Sequence, residues 1–280
     1  MAHNPSELKA LQENAATGDA SAECGLGRQF EHATGVPQDF TQAALWLRQS
    51  AEQGNASAQV ELGTLYDSGQ GVPQDYSQAV AWFRKASEQN NARGEYNLGL
   101  SYQNGESVPK DAAQAIAWYR KAADQGDVLA QFNLAVMYDQ GVDDTLKDYP
   151  QAADWYRKAA EQGLAEAQYR LGILYLYGNG VPKDDVQAAT WLRKAAEQGE
   201  PSAQFNLGAC YVNGDGVGRD LNEGYFWISL AAARSMDIGL KEHAEYSLEA
   251  DAKVMKKDDI KSAQKRAKAW LKEHPQMAAQ

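Results

Sequence analysis

Six tryptophans recur along this chain at a nearly constant interval: Trp46, Trp82, Trp118, Trp155, Trp191 and Trp227 stand 36, 36, 37, 36 and 36 residues apart. Such a period constrains the fold more than any single motif, because each period must be one small supersecondary unit that buries its apolar face only against copies of itself. The tryptophans open near-identical stretches, such as WYRKAADQG from Trp118, WYRKAAEQG from Trp155 and WLRKAAEQG from Trp191. The register divides the chain into modules 20–55, 56–91, 92–127, 128–164, 165–200 and 201–235, between an N-terminal segment 1–19 and a C-terminal segment 236–280. The single extra residue falls in GVDDTLKDYP, between Gly141 and Asp148, and predicts a bulged inter-helix loop.

Every module reads as helix, turn, helix. A small residue, then Leu, Gly and Tyr recur at helical spacing in the first half, as in Ala58, Leu62, Gly63 and Tyr66 or Ala167, Leu171, Gly172 and Tyr175. A turn such as Gly178-Asn179-Gly180-Val181-Pro182 follows, where Gly permits positive φ and Pro ends the helix. The second half opens on Asp39, Asp75, Asp111, Asp148, Asp184 or Asp220, with Gln or Glu three residues on, a pattern that predicts an N-cap and a reciprocal capping box. The second helix buries residues such as Ala79, Trp82, Phe83 and Ala86, and stops near Gly54, Asn90, Gly126, Gly163 or Gly199. Stacked in order, such pairs form an all-α solenoid. Residues 5–18 read as an orphan second helix capping one end, and residues 238–254 and 259–273 as two helices capping the other, the last inserting Trp270.

Alanine, Leu-Gly, Tyr, G-x-G-V-x-x-D, Ala, Trp and K-A-A-x-Q-G at this period resemble the Sel1-like repeat, a relative of the tetratricopeptide repeat, over about residues 5 to 235. The resemblance implies a right-handed α-solenoid with helical caps, used as a protein-binding adaptor and commonly bacterial. Members act in signalling complexes, envelope regulation, host interaction and neutralisation of secreted toxins, so an immunity protein is an alternative. A subset is described as binding or hydrolysing β-lactams, but it is rich in cysteine pairs, whereas this chain has only Cys24 and Cys210, five modules apart and not expected to pair.

At about 100° per residue, the first helix of each module has a face opposite Ala58, Gln59, Leu62 and Tyr66, carrying Ser57, Val60, Glu61, Thr64, Asp67 and Ser68. In related repeats the first helices line the concave surface. Along the chain one position of that face reads Cys24, Val60, Tyr96, Phe132, Tyr169 and Phe205, and a second Arg28, Thr64, Leu100, Val136, Ile173 and Ala209, with Asn97, Asn133, Arg170, Asn206 and Tyr177 beside them. The expected partner site is therefore Tyr96, Asn97, Leu100, Phe132, Asn133, Val136, Tyr169, Arg170, Ile173, Tyr177, Phe205 and Asn206: apolar anchors flanked by amides, suited to a peptide or folded protein. The competing reading has the aromatics packing sideways on the next module.

Chemistry finds little support. His3, His32, His243 and His274 do not cluster, no C-x-x-C or H-x-x-x-H is present, and the recurring G-x-G-V-P lacks the strand and third glycine of a phosphate cradle. No catalytic, metal or cofactor site is expected. A formal charge of -11 argues against a bulk grip on nucleic acid or anionic lipid, and no apolar run is long enough for a membrane span. A cytoplasmic monomer is the expectation, periplasmic or secreted if a leader was trimmed. The Arg-Lys pairs, such as Arg84-Lys85 and Arg193-Lys194, read as cations complementing helix C-termini and pairing with Glu rather than as a ladder for an acidic partner.

Overall fold

A computed structural model describes residues 5–141 and 147–275. The described residues form helices α1 (Pro5–Ala16), α2 (Ala20–Glu31), α3 (Phe40–Glu52), α4 (Ala56–Ser68), α5 (Tyr76–Ser87), α6 (Ala92–Asn104), α7 (Ala112–Asp124), α8 (Val128–Gln140), α9 (Tyr149–Glu161), α10 (Ala165–Tyr177), α11 (Asp185–Glu197), α12 (Pro201–Asn213), α13 (Leu221–Arg234), α14 (Ile238–Ala252) and α15 (Lys257–Glu273), with no strand among them. Helices alternate as first and second members of successive modules. The bulged loop expected before Asp148 lies largely outside the described residues.

The chain divides into two compact units, Met1–Leu134 and Ala135–Gln280. Within the first, α1 to α7 pack each against the next, and the first helices α4 and α6 also touch. Within the second, α9 to α13 pack in the same serial manner, and both α14 and α15 pack on α13. Each unit is thus a stack in which a helix meets its chain neighbours, the arrangement of an α-solenoid.

The recurring residues explain the stack. Tyr119, Tyr156, Leu47 and Leu192, each following a tryptophan of the period, are fully buried, so this second bulky residue holds the inter-helix core. Burial of each stabilises the fold by roughly 1.5–3 kcal/mol. The glycine of Leu-Gly makes room for it: a Cβ on Gly172 would collide with the Leu192 side chain. First helices such as α10 end in a left-handed residue, here Gly178 with φ 71°.

Second helices start on the aspartates as expected. Asp75 Oδ1 accepts from the Ser77 and Gln78 amides at 2.9 and 3.1 Å, and Asp184 and Asp220 repeat the contact. Among the described residues the reciprocal half of the capping box, a side chain accepting from the aspartate N–H, is absent; Gln151 instead donates to Asp148 Oδ2 at 2.7 Å. The Asp75 N–H donates to the Tyr66 carbonyl at 2.9 Å, and Asp111, Asp184 and Asp220 donate to the carbonyls of Tyr102, Tyr175 and Tyr211. With that donor already used to bind the two helices of one module together, Gln78 has nothing to reach back to.

Candidate functional site

The second helices first account for the Arg-Lys pairs. Lys85, Lys121, Lys158 and Lys194 place their Nζ 3.9, 3.9, 3.6 and 4.0 Å from the ring centroids of Trp82, Trp118, Trp155 and Trp191, three residues earlier on the same helix. The arginines reach forward. Arg48, Arg84 and Arg193 donate to the hydroxyls of Tyr66, Tyr102 and Tyr211 in the following module at 2.5, 2.9 and 2.7 Å. Lys85, Lys121, Lys158 and Lys194 lie in the last turn of their helices as the sequence led one to expect; Arg48, Arg84 and Arg193 tie their modules to the next, while Arg157 pairs with Asp154 at 2.8 Å on its own helix.

A second recurring contact was not read from the sequence at all. Gln59, Gln168 and Gln204 are buried and donate to the carbonyls of Ala51, Ala160 and Ala196 at 3.1, 3.0 and 3.0 Å. The Gln of K-A-A-x-Q-G then closes the junction from outside: Gln89 donates to Gln59 Oε1 at 2.9 Å and Gln198 to Gln168 Oε1 at 2.8 Å. Glu23 and Glu95 take the inner place in their modules, accepting from Gln53 and Gln125 at 2.7 and 2.6 Å. Burial raises both carboxyls above their ordinary range.

These contacts use positions that recur from module to module, which leaves the variable face of the first helices. In the first unit that face is partly closed. Cys24 and Val60, expected at the surface, are buried. Their position faces the next first helix: Cys24 Sγ lies 4.0 Å from Glu61 Oε2, and Arg28 Nε bonds Glu61 Oε1 at 2.5 Å. A wheel drawn for one helix cannot register a neighbour on its flank. Tyr96 holds the same position and packs sideways as the competing reading anticipated. Its hydroxyl accepts from Asn133 Nδ2 at 3.3 Å, its ring lies 5.8 Å from that of Tyr119, and burial pushes its phenol pKa up. Asn97, Leu100 and Phe132 are half-buried.

The second unit exposes more. Tyr169 is half-buried, and Asn206 donates to the Ser202 carbonyl at 2.8 Å. Arg170 pairs loosely with Glu166 at 3.6 Å, while Val136 and Ile173 are half-buried rather than forming an open ridge. Tyr177, at the end of α10, is 66% exposed. Half-buried Phe205 lines an open cavity of about 240 Å³ between α12 and α14, opposite Tyr246. That wall was missed because α14 lacks Leu-Gly and the turn and so read only as a cap; its signal was its start, 37 residues after that of α12.

Both cysteines are free, and burial raises their thiol pKa to about 11. No group of three metal-ligating side chains occurs among the described residues, nor does a helix among them have the length and apolarity to cross a membrane. Of the histidines, His32 and His243 are exposed, His274 stacks on Trp270 at 4.1 Å, and His3 lies outside the described residues.

Comparison with known proteins gives this pattern a family context. The family model described as Sel1 repeat matches residues 20–55, 56–91, 92–127, 128–164, 165–200 and 201–236. Among solved structures, c5321, a protective antigen present in uropathogenic Escherichia coli strains and displaying an SLR fold, is 35% identical with a TM-score of 0.87; the alignment covers 97% of this chain and 57% of that one. This chain therefore spans little more than half the length of that relative. A Sel1 repeat protein from Oxalobacter formigenes is 32% identical with a TM-score of 0.68, covering 80% of this chain and 90% of that one. A search of curated proteins returned no match.

Proposed function

Because the chain belongs to the Sel1 repeat family, whose fold is generally a non-catalytic protein-interaction scaffold, we propose that it is a binding scaffold that seats a peptide or folded protein on the variable face of its first helices. The observation that carries this reading is the contrast between the two kinds of helix. Second helices use their recurring Trp, Arg and Lys side chains in intramolecular contacts, whereas the first helices of the second unit leave Tyr177 largely in solvent, seven residues after Arg170 on α10, and α12 lines an open cavity with Phe205. Aromatic and Arg side chains left accessible in this way are the residue types that anchor protein interfaces.

Placing a photo-crosslinking amino acid at position 177, and for comparison at exposed Val186 on α11, tests the reading. A partner captured in cells should attach at 177 and not at 186, and Tyr177→Ala should weaken its binding about tenfold, or ~1.4 kcal/mol. Attachment at 186 with unchanged affinity for Tyr177→Ala would place the interface on the second helices and refute the proposal.

A further inference from the structure

Asp251 stands alone in the cavity between α12 and α14. The lining is otherwise uncharged, with Phe205, Val212, Ile228 and Tyr246 supplying its apolar part. Asp251 is 9% exposed, and its Oδ2 is enclosed without a hydrogen-bond partner. It stands one residue before the last of α14, where the helix carbonyls concentrate negative potential and a carboxylate is disfavoured. No ion pair reaches it among the described residues, and Lys253, its nearest basic neighbour in sequence, is exposed. Burial pushes its carboxyl above the ordinary range. An enclosed acid with no partner, at the unfavourable end of a helix, destabilises the isolated fold. A cation entering the cavity would offset that penalty by supplying the missing counter-charge.

Building on the scaffold reading, we infer that this cavity receives a basic side chain, lysine or arginine, from the protein partner. The alkyl stem lies against Phe205, Val212 and Ile228, and the charged head meets Asp251. Tyr246, 74% exposed at the rim, adds an aromatic face that attracts a cation. The volume of about 240 Å³, set against roughly 30 Å³ per molecule of liquid water, accommodates a short alkyl chain and its head group. The net charge of -11 draws a basic segment towards the protein from a distance.

The full chain, labelled with nitrogen-15, can be titrated with n-butylguanidinium, n-butylammonium and, as an uncharged control, n-butanol. Both cations should produce saturable shifts at the amides of Val212, Tyr246 and Asp251, with millimolar dissociation constants in keeping with so few atoms. The alcohol should not saturate. Asp251→Asn should weaken the cations at least tenfold, and its own unfolding temperature should equal or exceed that of the parent. Equal cation binding by Asp251→Asn, shifts concentrated elsewhere, or a variant that melts several degrees lower, the mark of a carboxylate held by an internal partner, would each overturn the inference. Because the probes are not proteins, a negative titration rejects the cationic seat alone, while the scaffold reading stands or falls on the crosslinks from position 177.

Discussion

Glu95 shows how a repeat position can be filled by the less suitable of two near-isosteric residues. It is 3% exposed and accepts from Gln125, yet as a carboxylate it cannot donate to the Ser87 carbonyl as Gln59 and Gln168 donate to theirs. Burial raises its pKa in the fold, against the opposing pull of Lys121 and Gln125. The folded state then holds the proton more tightly than the unfolded one, so Glu95 lowers stability progressively as pH rises through 4.5 and lowers it little below that. Glu95→Gln should stabilise the protein at pH 7 by about 1 kcal/mol, raising the thermal midpoint by roughly 2–4 °C. Melting curves at neutral pH and at about pH 4 should show the gain shrinking in acid; a gain that grew in acid would contradict the sign. None of this junction was legible in the sequence. Buried amides and surface amides are the same letters, and only the neighbouring helix distinguishes them.

At the scale of the helix, the start signals were readable and the partners of those signals were not. Aspartate before each second helix, and Asn55, Asn91 and Asp127 before first helices, accept from amides two or three residues on. The missing reciprocal bond of the capping box depended on where the aspartate N–H points, which the Tyr66 carbonyl and its equivalents decide. One first helix breaks the rule. Leu164 precedes α10 at φ -67° and ψ 112°, almost the angles of Asn55 at -66° and 110°, but offers no side-chain acceptor. Leu164→Asn therefore fits without backbone change and should satisfy one free amide of α10. The half-buried leucine gives up some packing, so a net gain of about 0.5–1 kcal/mol is expected, at the low end of the capping range. Urea denaturation measures it directly: a midpoint shifted down, with unchanged slope, would mean that leucine packing outweighs the cap.

For the molecule as a whole, the modules were legible because their framework residues recur, while the binding face was not, because it consists of the positions that do not recur. Tyr96 turns sideways onto the following module, Cys24 and Val60 disappear under theirs, and Tyr177 stays in solvent. The same nearest-neighbour logic governs stability. In the second unit α15 covers α13 with Ala263, Ala267 and Trp270, bonds Tyr225 through Gln264 at 3.3 Å, and sets Arg266 over Phe226 at 4.5 Å while pairing it with Glu223 at 2.7 Å. Ending the chain after Met255 would expose Tyr225 and Phe226, each contributing roughly 1.5–3 kcal/mol through burial. Hydrogen exchange of the truncated protein should then lose protection in α13 and in α14, which rests on it, while α10 and α11 keep most of theirs. Apolar exposure of that size should also make the truncated chain self-associate, detectable by light scattering. If instead α10 and α11 lost protection as fully as α13, the second unit would fold as one cooperative body, and the serial contacts of its helices would not describe how its stability is distributed.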